Sequence, residues 1–286
     1  MNRTILAAAL ATLMLAQSAD AMDPVYRRGI EEKDLASGKV SLDPTKGYIY
    51  AHDSVRRSAI FFKAPTDEER AEFQAEWQEA FDKAAKQYQR DLATWEKGVE
   101  WAKEKRSKPP PKPVEPTAET FYIGRVEDRM IVGYGPTFVF SKAEGHFDYL
   151  LEVEPGTYTY FGVDLATSGV KVTGVCLCMG TIKFEVKAGE IANLGDLLAL
   201  RWVSDEQGRA SSAFWVRDGE RKPVDYSLPE RLASIPNHPA DLRAAAKFDN
   251  QRGILIGRFP PVEGVLAYRR GEVIDLKAKD ERAAHQ

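Results

Sequence analysis

Between Thr66 and Arg106 the chain holds a single glycine, Gly98, and no proline, and its large apolar residues recur with a helical step. Phe73, Trp77, Phe81, Tyr88, Leu92, Trp95 and Val99, with Ala84 filling one gap, are spaced 4, 4, 3, 4, 4, 3, 4. Residues three and four apart share a face of an α-helix, so this spacing predicts one long amphipathic helix over residues 66–106. Two steps of four and one of three make eleven, the repeat of a nearly straight helix or a slight right-handed supercoil. Thr66 is placed to cap the first free amides, and Glu69, three residues on, to complete a capping box. Acidic residues crowd the start (Asp67, Glu68, Glu69, Glu72) and basic ones the end (Lys103, Lys105, Arg106), which complements the helix dipole. At ~1.5 Å per residue such a helix extends ~60 Å. Gly98 is its weak point, costing ~1 kcal/mol relative to alanine, so a fray or bend is expected there.

The stripe is expected to pack along the rest of its own chain. The alternative is a partner, for which Phe73, Trp77, Phe81, Tyr88 and Trp95 are the candidate binding residues. Pro109, Pro110, Pro111, Pro113 and Pro116 follow the helix. A run of this kind favours extended polyproline conformation, so residues 107–117 read as a stiff spacer that returns the chain to its starting point.

On either side of this region the pattern is that of strands. Gly47–Ala51 and Ser58–Lys63 precede it. Phe121–Val126, Met130–Val132, Thr137–Phe140, Phe147–Val153, Thr157–Val163, Lys171–Met179, Thr181–Val186 and Leu197–Trp202 follow. Closely spaced short segments rich in β-branched and aromatic residues, separated by Gly and Pro turns, point to an antiparallel sandwich or barrel. Pro155 and Gly156 suit the second and third positions of a type II turn, which would make Leu150–Val163 a hairpin. Tyr158 and Tyr160 share one strand face and are expected to pack into the core, with stacking on a sugar or peptide as the alternative.

The run Val153-Glu154-Pro155-Gly156-Thr157-Tyr158, followed by Phe184-Glu185-Val186-Lys187-Ala188-Gly189-Glu190, resembles exported bacterial β-sandwich domains of the prealbumin-like or carboxypeptidase-regulatory-like kind. In these a strand ends in a Pro-Gly turn and a later one in Ala-Gly-Glu. The resemblance covers residues 47–202 with the helix and proline segment set aside, and it implies a mostly non-catalytic module with no active-site residues to carry over. The expected fold is therefore mainly β: an antiparallel β-sandwich over residues 47–202, interrupted by the long helical insertion. An extended lead over 22–46 comes before it. An irregular segment over 203–286 follows, with short helices at Leu228–Ala233 and Ala240–Lys247 and a closing hairpin from Gly253–Arg258 to Gly264–Tyr268.

The amino end reads as a secretory signal peptide. Arg3 supplies the positive charge, Ile5–Ala16 an apolar run broken only by Thr12, and Ala19-Asp20-Ala21 a small-x-small site that places cleavage after Ala21. The apolar run is shorter than the ~20 residues a spanning helix needs. With no cysteine at the cleavage point to carry a lipid, a soluble periplasmic or secreted protein is expected. The formal net charge of -3 lacks the basic excess of a nucleic-acid binder.

Cys176-Leu177-Cys178-Met179 is the sharpest local feature, because residues two apart on a strand point the same way. Three states are open to the pair: two buried thiols, a soft-metal site for copper(I) or zinc completed by Met179 or a distant histidine, or a disulfide. The last would be strained if the segment stayed extended. His52 beside Asp53 has the residue types of an oriented base, yet no nucleophile elbow accompanies it, and a turn is the plainer reading. The expected function is a non-catalytic envelope module that binds a partner protein or cell-wall component. A thiol or soft-metal role for Cys176 and Cys178, and hydrolysis of an envelope polymer, are the alternatives.

Overall fold

The computed structural model describes residues 29–143, 145–165, 173–199, 203–204, 210–211, 223–250 and 254–278. The signal peptide and Leu200–Trp202 lie outside them. The described chain falls into two compact units, one made of residues up to Ala64 and from Ile131 onward, the other of Pro65–Met130.

In the first unit a short helix α1 (Glu32–Ala36) leads into strands β1 (Gly47–Asp53) and β2 (Ala59–Lys63). After the second unit come β3 (Ile131–Tyr134), β4 (Lys142–Ala143), β5 (His146–Val153), β6 (Gly156–Leu165), β7 (Thr173–Cys176), β8 (Thr181–Val186) and β9 (Ile191–Asn193). The carboxyl part adds β10 (Val203–Ser204), β11 (Ala210–Ser211), β12 (Asn237–Pro239), β13 (Arg243–Ala245), β14 (Leu255–Ile256), β15 (Leu266–Arg269) and β16 (Glu272–Asp275). Among the described residues there are two large sheets. One runs β12-β9-β1-β5-β4; the other runs β13-β8-β6-β2-β3, with β7 joining β6 to β14. The fold is thus mainly β, but the sheets are mixed: β1 with β9, β9 with β12, and β7 with β14 are parallel pairs.

Strands β1, β2 and β3 are buried on both faces, so they read as continuous apolar runs more than as alternations, whereas β8 alternates with Lys183 and Glu185 exposed. Ile49, Leu151 and Ala192 of the first sheet share the main core with Phe61, Tyr158, Tyr160 and Phe184 of the second. On the other face of β1, Tyr48 and Tyr50 meet Ile30, Phe140 and Leu232. On the other face of β6, Phe161 meets Ile60, Ile131 and the two cysteines. Between these layers β6 changes phase. Tyr160 pairs with Phe61 but Gly162 with Ile60, so Phe161 is an extra residue, a β-bulge that turns Val163 into the main core.

Several expectations need correction. β5 and β6 lie in different sheets, so Leu150–Val163 is no hairpin. Pro155-Gly156 is a corner at which the chain changes sheet, and Gly156, with φ of 149°, already pairs with Val186. Ala240–Lys247 holds strand β13, bonded to β8, in place of a helix. Leu255–Ile256 does not pair with the strand after Gly264; β14 joins β7, while β15 pairs with β16 across Arg270-Gly271. Phe121–Val126 and Thr137–Phe140 form no strand, since their aromatics are held by packing, Phe121 against the long helix and Phe140 in the second cluster. Leu228–Ala233 is helical only as a single 3₁₀ turn, Glu230–Leu232.

The second unit is built on helix α2 (Asp67–Glu104) and the short α3 (Val126–Arg129). The capping box forms as the residue types require: the Thr66 hydroxyl accepts from the Glu69 amide and the Glu69 carboxylate from the Thr66 amide. α2 runs unbroken through Gly98. Its apolar stripe is partly covered from within the unit, where Trp77 and Phe81 stack on each other at 5.1 Å and both meet Phe121 edge-on. Further along, the Trp95 indole donates to the Pro110 carbonyl at 2.8 Å. A Cβ on Gly98 would lie 3.1 Å from the Pro110 ring, so the glycine admits the returning chain to the helix surface.

Candidate functional site

Three groups of chemically able residues differ in what surrounds them. Cys176 ends β7 and Cys178 sits in the turn that follows, so the pair straddles the end of the strand. Both side chains are buried, and they are joined as a disulfide with Cα atoms 5.2 Å apart. The segment does not stay extended, which is how a bridge over one intervening residue closes. A sulfur bonded to its neighbour is no thiolate, so in this state neither cysteine can ligate a soft metal as thiolate. Met179 is exposed and its amide donates to the Gly257 carbonyl. Among the described residues no three His, Cys, Asp or Glu side chains converge in a way that could hold a metal ion.

The second group lies where β1 leaves the first sheet and β2 enters the second. Asp53 and Arg57 form an ion pair there with side chains 2% and 5% exposed. The corner is pinned from outside: the Arg57 amide donates to the Tyr149 hydroxyl at 3.0 Å, and Tyr149 stacks on Tyr134 with centroids 4.3 Å apart. Asp53 Oδ1 accepts from the Val55 amide at 3.2 Å. Burial raises the Asp53 carboxyl above its ordinary range, opposed by the Arg57 charge beside it. Of the guanidinium nitrogens, Nη1 donates to the Leu198 carbonyl and Nε lies at ion-pair contact with Asp53; among the described residues Nε and Nη2 make no hydrogen bond and both are buried. Arg57 and Tyr160 line a cavity of about 400 Å³, counted to its open mouth, whose other walls include Val163, Val175, Leu177 and Phe259. Val175 and Leu177 flank Cys176, so the strand that carries the disulfide on one face forms the cavity wall with the other.

The third group gathers at His52 and His146, whose rings lie 4.2 Å apart. Their surroundings are polar. His52 Nε2 is 2.9 Å from the Asp225 carbonyl oxygen, and His146 Nε2 is 3.2 Å from Asp148 Oδ1. Asp148 is buried and also accepts from the hydroxyls of Tyr50, at 2.6 Å, and Ser141. Burial and then Asp148 raise the Tyr50 phenol well above its ordinary range. The adjacent residues His52 and Asp53 take separate partners, so they do not form one oriented base.

The stripe residues of α2 have contacts of their own. Phe73 lies under the Arg129 guanidinium at 4.9 Å, Trp77 and Phe81 against Phe121, Trp95 beside Pro110 with Lys112 above its ring, and Tyr88 is half-buried. The larger exposed side chains of this unit are elsewhere: Trp101, Val114 and Tyr122 are 59%, 89% and 68% exposed. Neither Arg57 nor its cavity was visible in the sequence, where His52 beside Asp53 read as a turn. The one available signal was an Asp and an Arg four apart between two strands. No protein-family model matches the chain, and no similar protein was found among curated proteins or solved structures.

Proposed function

We propose that the chain is an exported, non-catalytic envelope module: a β-sandwich carrying a helical insertion through which it binds a partner protein. The observation that carries the reading is the pairing of Phe62 with Ile131. Residues 63–130 leave and re-enter between two directly bonded strands, and the Pro65–Met130 unit closes its own stripe with its own return segment. The sheets do not need such a unit to complete their ladders, so its use is sought in what it meets. The two large sheets sharing one core supports the sandwich. The Cys176–Cys178 disulfide supports export, because disulfides persist in oxidising compartments. A soft-metal role for the two cysteines would begin with reduction of that bond.

The partner surface is placed on Trp101 and Tyr122, exposed aromatics of the kind that anchor protein contacts, with the covered stripe from Phe73 to Trp95 as the frame that holds them. A photo-reactive residue at 101 or 122, introduced in the cells that make the protein, is expected to give the same adduct from both positions. The control at Leu255, exposed in the other unit, is expected to give none. Adducts that appear equally from 255, or from neither helical-unit position, overturn the assignment. Replacing residues 64–130 by a four-residue polar turn is expected to leave the sheets folded and abolish the adducting partner from the co-purified material.

A further inference from the structure

Glu72, Glu76, Glu79, Lys83, Lys86 and Arg90 follow one another along α2 at steps of 4, 3, 4, 3 and 4, which keeps them on one side of the helix. That side is turned away from the stripe of Phe73, Trp77, Phe81 and Tyr88, and all six residues are exposed. Within a single helix the order is unfavourable. Like charges meet three or four residues apart at Glu72 and Glu76, Glu76 and Glu79, Lys83 and Lys86, and Lys86 and Arg90. Only Glu79 and Lys83 are opposite neighbours, paired at 2.6 Å, and Arg129 of α3 relieves Glu76. Asp82, four residues before Lys86, is taken by the Gln78 amide at 2.9 Å. Among the described residues Glu72, Lys86 and Arg90 form no ion pair. The helix dipole does not account for the arrangement, since its influence fades beyond the first and last turns and these residues lie between them.

The series is its own mirror image with the sign of charge reversed. Residues 72 and 90, 76 and 86, and 79 and 83 stand at equal distances from position 81, an acid on one side and a base on the other. We infer that this face of α2 binds the same face of a second copy of the chain, with the two helices antiparallel. Glu72 then meets Arg90, Glu76 meets Lys86 and Glu79 meets Lys83, and the two-fold axis repeats each pair. Every like-charge neighbour along one helix gains an opposite charge across the contact. Copies laid parallel in register would set like against like. An antiparallel contact uses the same patch on both copies, so it closes at two. The alternating steps of three and four keep the two faces together along the stretch. Exposed ion pairs are weak singly and screened by salt, so the dimer is weak and salt-sensitive. Trp101 lies eleven residues beyond Arg90, outside the mirrored stretch, so this contact stands apart from the partner surface placed there.

Sedimentation equilibrium of the full chain is expected to show a monomer–dimer equilibrium whose Kd rises at least about tenfold between about 0.02 M and about 0.5 M salt. Carbodiimide, which joins a carboxylate to an amine in contact with it, is expected to link Glu76 to Lys86. These two lie about 15 Å apart along one helix, so that amide forms only between copies. Lys83→Glu, Lys86→Glu and Arg90→Glu together make the face wholly acidic; Glu72→Lys, Glu76→Lys and Glu79→Lys together make it wholly basic. Each triple variant alone is expected to be monomeric with the helix content of the wild type by circular dichroism. The two mixed are expected to pair at least as tightly as the wild type, which separates loss of the contact from loss of the fold. A chain that stays monomeric in low salt at its highest soluble concentration, a dimer that survives either triple reversal, or mixed variants that do not associate overturns the inference. So does a link from Glu72 to Lys83 with growth beyond the dimer, the mark of parallel copies staggered along the axis.

Discussion

Gly162 shows how much of this fold rests on the absence of one atom. It follows the bulged Phe161, has φ of 146°, and faces Cys176 across the β6–β7 ladder. A Cβ there would lie 1.9 Å from the Val175 carbonyl oxygen, a backbone atom that cannot swing aside. Both the backbone angle and the approach exclude a side chain. Gly162→Ala is expected to cost more than about 4 kcal/mol, visible as loss of the urea transition or of soluble protein, because β7 would have to part from β6. An alanine variant within about 1 kcal/mol of wild type would show that the two strands do not approach as described. The same residue lines the Arg57 cavity, so the strand geometry and the cavity shape are set together. None of this was legible beforehand. A Phe-Gly-Val run reads as an ordinary strand, and the bulge arises from how β6 must serve β2 on one edge while dividing the other between β8 and β7.

At the scale of elements, legibility followed the range of the interactions that decide each one. α2 was readable because its signals are local: a cap, a capping box, an apolar spacing and a charge order that all agree. Strand β8 was readable for the same reason. Ala240–Lys247 was not, since Ala-rich sequence favours helix and only the free edge of β8, distant in sequence, makes it a strand. Gly98 was read as weakness, and the structure gives it another meaning as the place where Pro110 reaches the helix. The two meanings separate in substitution. Gly98→Ala gains ~1 kcal/mol of helix propensity but meets the proline ring at a tight 3.1 Å, so its net effect on unfolding is expected to be small. Gly98→Leu cannot fit beneath Pro110 and is expected to destabilise by about 1–3 kcal/mol, with Trp95 emission shifted towards the red as its indole loses the Pro110 carbonyl. Helix content measured by circular dichroism should stay unchanged in both. A leucine variant as stable as wild type would show that the glycine does not serve the proline contact.

For the whole molecule the telling feature is how often the chain changes sheet, among other places at residues 53–58 with its buried ion pair and at Pro155-Gly156. Sequence signals mark a turn at both places but not its destination, because a corner and a hairpin use the same residues. These crossings bury tyrosines from both sheets in shared layers, and burial of so many phenols has a consequence for pH. Burial pushes Tyr160 up to about 12 from 10.0, and Tyr48 up to about 12, while Tyr134 and Tyr50 are raised further still. A group with a folded pKa above its unfolded value contributes stability that is whole below the unfolded pKa and is lost as pH rises through the folded one. For these phenols the window runs upward from pH 10 through about 12. Tyr160 is 3% exposed, so ionising it in the folded chain would bury a phenolate in the shared core. The buried set should ionise together, so that phenolate absorbance rises steeply in the same narrow pH interval in which the far-ultraviolet strand signal disappears. Tyr160→Phe removes one of these phenols and is expected to move that interval upward. A smooth phenolate titration near pH 10 with the strand signal intact would mean that the tyrosine layers are open to water, and that the two sheets do not share a core.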